Sequence, residues 1–558
     1  MNSKFSLERG IYVMGVFIIV IGVLFLFVRS DAVLKFRYFS EQNEDVLFFQ
    51  ESLDGYEKPS YLVLTGTDHK ELSESLRIRL ENMGKQVKIQ PLSVIRSMED
   101  MKEFNSVIVA TEQLDVLKDA NVLLDFTKSG GSLFFAVRPS PSPVLSAMYQ
   151  HLGMVEAGNF IETTGIKLEH PLVGKNGRTL FQSDRILNSS LSVRLSPDAK
   201  LYASSASGIP IFWTKQYGEG QFIIFNGTMF VSTVEQALFV KGIQLASDEV
   251  MTPIVNAHVT ELGSFPFAVP DGRSLSEGYT NRDYYRFVVW PELQRIEAKY
   301  DLNYTASYLS PKDEVIMQGE ASRSQEDLRL YGRELLRMGG ELAIQEAVYL
   351  NEKERTAVYK DSISRIAEAL PSYKVRSTVI PALNKNKIEW ESKNIVLTPE
   401  FYVKKMGDNV ILPKTIEGFA PDVYAQWLAL NEIAVSGYYA HTVYPQLFLQ
   451  GKNIEESFDA FVSFQQQMKR EAPWLKNLTL SKAADAAYTY INSDLYEERN
   501  GNMITFYATT MRDKAYYYFS SRQSIVSTEN CEVEKVGENL YIVEAHKLRF
   551  SIRLDGAK

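Results

Sequence analysis

Residues 60–84 read SYLVLTGTDHKELSESLRIRLENMG, and this stretch decides the fold of the first large domain. Tyr61–Leu64 is a short continuous apolar strand ending in Thr65-Gly66. Leu72, Leu76, Leu80 and Met83 then recur at helical spacing, with Gly84 placed as a stop. The same unit repeats downstream. Val87–Ile89 and Val107–Ala110 read as strands, Leu114, Leu117, Val122 and Phe126 mark a helix closed by Ser129-Gly130-Gly131, and Leu133–Val137 is the next strand. Strand and helix in alternation predict a parallel sheet covered by helices. Ile209–Trp213 and Gln221–Asn226 flank the turn Tyr217-Gly218-Glu219-Gly220 as a hairpin, and a helix from Ser232 to Ala246 closes a domain at residues 60–249.

A second alternation begins near Thr252 and occupies residues 250–500. Its strands are Ile254–Val259, Tyr304–Tyr308, Leu342–Ala347, Val375–Ile380 and Asn394–Leu397. Its helices are Asp283–Tyr300, Gln325–Met338, Ser362–Leu370, Tyr424–Leu430, Ile454–Arg470 and Ser481–Asn492. Repeated units over this length match a parallel (β/α) barrel. From Met503 the texture changes to short strands: Ile504–Tyr507, Ala515–Phe519, Ile525–Ser527, Leu540–Val543 and Leu548–Ile552. They predict a small antiparallel β-domain at residues 501–558. The fold class is α/β throughout, with this β-domain at the end.

At the other terminus, Ile11–Val28 reads IYVMGVFIIVIGVLFLFV, eighteen residues without charge or proline. A helix of that length spans roughly 27 Å, close to the hydrocarbon core of a bilayer. Arg29, Ser30 and Asp31 come next, with no small-residue cleavage pattern, so the segment reads as a transmembrane anchor and not a signal peptide. Residues 1–10 are then a short cytoplasmic tail and 29–59 a linker. Lys4 and Arg9 before the span, against Arg29, Lys35 and Arg37 after it, do not settle orientation by charge. A large body sent outside is the usual arrangement for a span so near the start.

The 558 residues are 45% hydrophobic and 23% charged, enough apolar material for about three domains of roughly 150 residues each. A net charge of −9 makes nucleic acid an improbable partner, because the phosphate backbone would be repelled. The single cysteine, Cys531, excludes an intramolecular disulfide and cysteine-rich zinc sites. Thirty Tyr and thirty-one Phe suit either sugar-binding clefts or ordinary cores.

The layout of residues 60–249 resembles a class I glutamine-amidotransferase-like or Rossmann/flavodoxin-like domain. The amidotransferases need a cysteine nucleophile on a strand-to-helix elbow, and Cys531 lies far outside the domain. No Gly-x-Gly-x-x-Gly comes after Tyr61–Leu64 either, so a dinucleotide cradle is missing. This domain is expected to bind or scaffold.

Residues 254–495 carry Ser264-Phe265-Pro266 with Val269-Pro270, then Phe287-Val288-Val289-Trp290-Pro291 and Gly339-Gly340-Glu341-Leu342. Val379-Ile380-Pro381-Ala382-Leu383-Asn384, Gly437-Tyr438-Tyr439-Ala440-His441 and Pro473-Trp474-Leu475 come after them in order. In these runs the chain resembles the polysaccharide deacetylase superfamily, in its Gram-positive, membrane-anchored branch related to the Pel exopolysaccharide deacetylase. The resemblance implies a metal-activated water attacking an acetamide, with an Asp-Asp pair after the first strand and histidine ligands spaced i and i+4. This sequence departs from that pattern at each place. Gly263 and Ser264 stand where the aspartates belong, Gln345 and Tyr349 stand at the histidine positions, and the later histidine element survives only as His441, followed by Tyr444.

A borderline divalent cation prefers imidazole and carboxylate ligands, which glycine, serine, glutamine and tyrosine do not supply. The expectation is therefore a pseudoenzyme with no metal, no cofactor and no catalytic residue. Its vestigial cleft would be formed by Ser264, Gln345, Tyr349, Asn384, His441 and Tyr444, each of which also reads as an ordinary core or loop residue. Glu261 and Asp271 are a possible glycosidase carboxylate pair, but solvated loop acids are commoner. His258 and His441 read better as satisfied core histidines than as metal ligands. The expected role is a scaffold or polysaccharide-binding subunit in bacterial exopolysaccharide synthesis or export. Its partners would be the polymer, other membrane subunits and the bilayer, with the body outside the cytoplasmic membrane. The alternatives are an active deacetylase or other carbohydrate hydrolase, and a pure interaction protein.

Overall fold

Tyr61–Leu64 lies at the heart of the first domain, and its lack of alternation has a packing cause. Tyr61 and Val63 face one core beside Leu72, Leu76 and Leu80, while Leu62 and Leu64 face another beside Leu123 and Phe126. A strand covered on both faces needs apolar residues at every position. The computed structural model describes residues 12–22, 46–49, 52–53, 56–174, 179–232, 234–266, 272, 278–310, 320–347, 350–380, 395–398, 402–406, 409–450 and 453–556.

The strand Ser60–Thr65 pairs in parallel with Gln86–Pro91 on one side and Ser106–Ala110 on the other. Ser132–Phe135 and Gly220–Phe225 continue the parallel sheet, and four further strands extend it antiparallel to nine in all. The hairpin is present as Pro210–Tyr217 against Gly220–Phe225. The closing helix begins only at Ala237, after a 3-10 turn at Met229–Val231. Gln236 holds that start: its amide donates to Ser75 and to the Phe230 carbonyl and accepts from Arg79.

The stretch read as one strand, Ile254–Val259, divides between two sheets. Glu249–Ile254 pairs antiparallel with Ala515–Ser521 in the C-terminal domain. Asn256 then turns the chain at φ 59, a conformation that asparagine tolerates better than most residues. Strand β1, Ala257–Leu262, starts the barrel sheet. β2 (Tyr304–Tyr308), β3 (Glu341–Gln345), β4 (Ser377–Val379), β5 (Ile395–Thr398) and β6 (Asn409–Pro413) extend it on one side, and β7 (Tyr438–Val443) lies on the other side of β1. These strands are parallel. Among the described residues no ladder joins β6 to β7, so the sheet is an open barrel. β6 and β7 were not among the strands expected from sequence.

Helices connect the strands. Asp283–Tyr300, expected as one helix, is Asn281–Tyr284, a π-helical turn at Tyr285–Val289, and Trp290–Tyr300. Pro291 sits where the last segment starts, and its missing N–H breaks the regular ladder. The helix expected from Ser362 starts ten residues earlier, at Glu352, where Asn351 and Glu354 form a reciprocal capping box. Inside the barrel Val259, Ala343, Val379, Leu397, Leu412 and Ala440 pack together, while Leu262, Tyr304, Ala306, Leu342 and Ile344 face the helices.

The C-terminal domain is a sandwich of two four-stranded sheets. One runs Glu249–Ile254, Ala515–Ser521, Leu540–Ala545, Cys531–Lys535; the other runs Leu495–Asn500, Met503–Ala508, Arg549–Leu554, Ile525–Glu529. Residues 29–59, read as a linker, supply Val46–Phe48, which pairs with Thr510–Arg512. Residues 12–22 are helical with exposed apolar side chains. Among the described residues no helix is long and apolar enough to cross a membrane, and the rest of the span 11–28 lies outside them.

Candidate functional site at the barrel mouth

Period-two alternation places Glu261 of β1, Ser307 of β2, Gln345 of β3 and Thr442 of β7 on the inner face at the C-terminal ends of their strands. This is the end where parallel barrels build their sites. Glu261 is 1% exposed. Its Oε1 accepts from the Ser307 hydroxyl at 2.6 Å and its Oε2 from the Thr442 hydroxyl at 2.5 Å. Burial raises its pKa, against the lowering pull of Lys414 and the two hydroxyls.

Gln345 Oε1 is an equally crowded acceptor. It faces the Ser264 N–H at 2.9 Å, the Ser264 hydroxyl at 3.2 Å and the Ser307 hydroxyl at 3.2 Å. Ser264 reaches it from a left-handed backbone, φ 56, unusual for serine. Beyond these groups stands Lys414, whose Nζ donates to the Tyr444 hydroxyl at 2.9 Å and to Glu417. Burial works to lower the Lys414 pKa, but Glu261, Tyr444 and Glu417 together hold it raised. The Tyr444 hydroxyl donates in turn to Glu417 at 3.3 Å, and burial raises its own pKa.

The Tyr444 ring closes the arrangement over Gly263. A β-carbon on Gly263 would lie 2.4 Å from Cε1 of that ring. Gly263 is one of the positions where the superfamily pattern calls for aspartate, so the ring fills the space that such a side chain would need.

Of the six candidates, the structure brings Ser264, Gln345 and Tyr444 together. Tyr349 and Asn384 lie outside the described residues, as does Asp271. His441 belongs to the opposite face of β7, away from the mouth. Its Nε2 meets the Gly418 carbonyl at 2.6 Å, its Nδ1 meets Gln465 at 3.1 Å, and it packs against Phe461 and Phe464. His258 is also on the outer face, bonded to Asn477 at 2.7 Å and stacked on Tyr439. Burial pushes the two imidazoles down to about 3 for His258 and about 4 for His441, as expected for neutral core histidines. Glu261 is not a solvated loop acid: it is a buried strand residue. Its place in the series Ala257, Val259, Glu261 was a usable signal, because strand alternation alone puts it inside. Lys414, Glu417, Ser307 and Thr442 carried no comparable mark.

The deacetylase resemblance implies a divalent metal, and the described residues at this mouth do not fit one. Among them no three His, Cys, Asp or Glu side chains gather where an ion could be held. At the mouth Glu261 already accepts two hydroxyls, Glu417 is held by Lys414 and Tyr444, and the other described polar groups there are an amide and neutral hydroxyls.

The three-part architecture and open parallel barrel give this chain a deacetylase-like fold. It is similar over 90% of its length, and over 99% of the other chain, to the crystal structure of Agd3, described as a novel carbohydrate deacetylase, at 10% identity and TM-score 0.50. Residues 178–344 and 360–542 match the family model described as an uncharacterised protein conserved in bacteria (DUF2194), and the chain belongs to that family. Looser likenesses carry no argument. One is to a ThuA-like protein from Bacteroides uniformis, at 11% identity and TM-score 0.28, covering 36% of this chain and 96% of that one. Another is to a glycoside hydrolase/deacetylase from Parabacteroides distasonis, at 12% identity and TM-score 0.29, covering 48% and 82%. No curated protein matches the sequence.

Proposed function

We propose that this chain is a catalytically inactive relative of the carbohydrate deacetylases, of the Gram-positive branch related to the Pel deacetylase. It is anchored by residues 11–28 with its body outside the cytoplasmic membrane. There it serves as a polysaccharide-binding and scaffolding subunit of an exopolysaccharide synthesis or export complex. The observation that carries the reading is the Tyr444 ring seated on Gly263, with Gln345 tied to Ser264 and Ser307 beside it. A mouth whose polar groups satisfy one another offers an aromatic face and hydroxyls to a sugar chain, and no free ligand set to a metal.

The test uses the full chain in detergent with acetylated amino-sugar oligomers and added zinc. The expected result is no acetate release, together with polymer binding that Tyr444→Ala weakens about tenfold or more, the usual cost of losing an aromatic anchor. Acetate release abolished by a chelator would overturn the reading. A second reading, a carbohydrate hydrolase, draws on Glu261, whose buried carboxyl is biased towards the protonated form that a general acid needs. Glycan cleavage that disappears in Glu261→Gln would establish it.

A further inference from the structure

A cavity of about 360 Å³ lies at the end of the barrel opposite the mouth, where β1 and β7 begin, and falls within the range of small-ligand sites. Its wall is built from the outer face of β7, the helix Ile454–Glu471, the turn after Trp290–Tyr300 and the loop that carries Trp474.

Two polar groups in that wall are almost wholly buried and still lack a partner. Tyr439 is 2% exposed. Its ring stacks on His258 and meets Phe464 edge-on, but among the described residues nothing bonds its hydroxyl. Burial alone raises its pKa, with no hydrogen bond opposing the shift. Gln465 is 5% exposed, and the state of its amide follows from His441. The Gly418 carbonyl can only accept, so His441 Nε2 carries the proton and the neutral ring accepts at Nδ1. Gln465 therefore donates its NH₂ to Nδ1 at 3.1 Å, and its Oε1 is left with no donor among the described residues. Neither atom is closed off from solvent, in contrast to the orphaned hydroxyl of Tyr438 beside them. An unmet donor and an unmet acceptor thus share one cavity, and leaving such groups unpaired is costly.

We propose that this cavity binds a neutral sugar ring, whose hydroxyls pair with Tyr439 and with Gln465 Oε1. A hydroxyl both donates and accepts, the complement of one phenol and one amide oxygen. The indole of Trp474 and the half-buried ring of Tyr300 supply apolar surface for the carbon face of the sugar. The rim favours neither an anion nor a cation. It carries one exposed charge of each sign, Asp301 and Lys469, and its other lysine, Lys476, is held by Glu544 at 3.3 Å. The site rests on its own residues and does not need the barrel mouth to bind anything.

The test is calorimetry on the full chain in detergent with the methyl glycosides of glucose, galactose and N-acetylglucosamine. At least one should give saturable heat. Tyr439→Phe should weaken that binding about fivefold or more, the usual worth of one hydrogen bond. The same variant should not lower the urea midpoint, because the hydroxyl has no partner to lose in the folded chain. Met468, buried in the cavity wall, gives a readout that needs no variant. Its ¹³C-methyl resonance should move on saturation with the sugar, and should still move in Tyr444→Ala, which separates this site from the mouth. The resonance of Met148, in the first domain, should stay in place. No saturable heat from any of the three glycosides, undiminished affinity in Tyr439→Phe, or an unmoved Met468 signal overturns the proposal. Tighter binding of glucosamine or glucuronate would overturn it too, by showing that charge is what the cavity reads.

Discussion

The ring of Tyr444 rests on the backbone of Gly263 so closely that a β-carbon there would stand 2.4 Å from Cε1. These two residues are 181 positions apart in the chain, yet each explains the other: the glycine is needed because the ring is there. Gly263→Ala should therefore destabilise the protein by about 1–3 kcal/mol, the usual cost of overpacking. Adding Tyr444→Ala should recover most of that loss. Urea unfolding of the single and double variants measures both, and an unaffected Gly263→Ala protein would count against the packing described.

Acid should weaken the fold through His258 and His441. Each stays neutral in the folded chain down to about 3 and about 4 respectively, but titrates near 6.5 when unfolded. Between those values the unfolded chain binds more protons, so their contribution is complete above about pH 6.5 and is lost as pH falls. The loss is bounded by about 1.4 kcal/mol per pH unit for each histidine. Unfolding midpoints from pH 7 to pH 4.5 should fall less steeply in His441→Gln than in the unmodified protein.

Glu297 predicts a slope of the opposite sign. It is 2% exposed; among the described residues its Oε1 accepts only a long bond from the Tyr304 N–H at 3.4 Å, and its Oε2 has no partner. Burial pushes its pKa up to about 8. The protonated carboxyl is the folded form, so its contribution is complete below the ordinary value of 4.5 and is lost as pH rises towards 8. Glu297→Gln should be more stable than the unmodified chain at pH 8 and should flatten the decline between pH 5 and pH 8. A variant less stable at pH 8 would show that the carboxylate has a partner.

Removing residues 1–30 should release the body from the membrane fraction without unfolding it. Protease added to intact, wall-stripped cells should degrade the body of the full chain. Full protection in that experiment would reverse the proposed topology, and a truncated chain that still sediments with membranes would point to a second attachment.

Much of this protein was legible from local pattern. Tyr61–Leu64 and the helical spacing after it announced a parallel sheet covered by helices, because continuous burial and a 3.6-residue period each leave a local mark. Tyr304–Tyr308 was found with its observed bounds, and Gly339-Gly340 correctly ended a helix. The absence of aspartate and histidine at Gly263, Ser264 and Gln345 was equally plain, since residue identity needs no coordinates. What sequence could not supply was which distant residues meet. Glu249–Ile254 leaves the barrel for the sandwich because its partner, Ala515–Ser521, lies more than 250 residues further on. His441 and Tyr444 are three residues apart, yet one is sealed in the outer core and the other reaches the mouth, because strand alternation and the end of β7 turn them to different sides. Glu261 gained its place from Ser307 and Thr442, on the two strands that flank β1 in the sheet but lie far from it along the chain. Local periodicity fixes elements over a few residues, whereas a site is a set of long-range contacts whose closure depends on the packing of the whole chain.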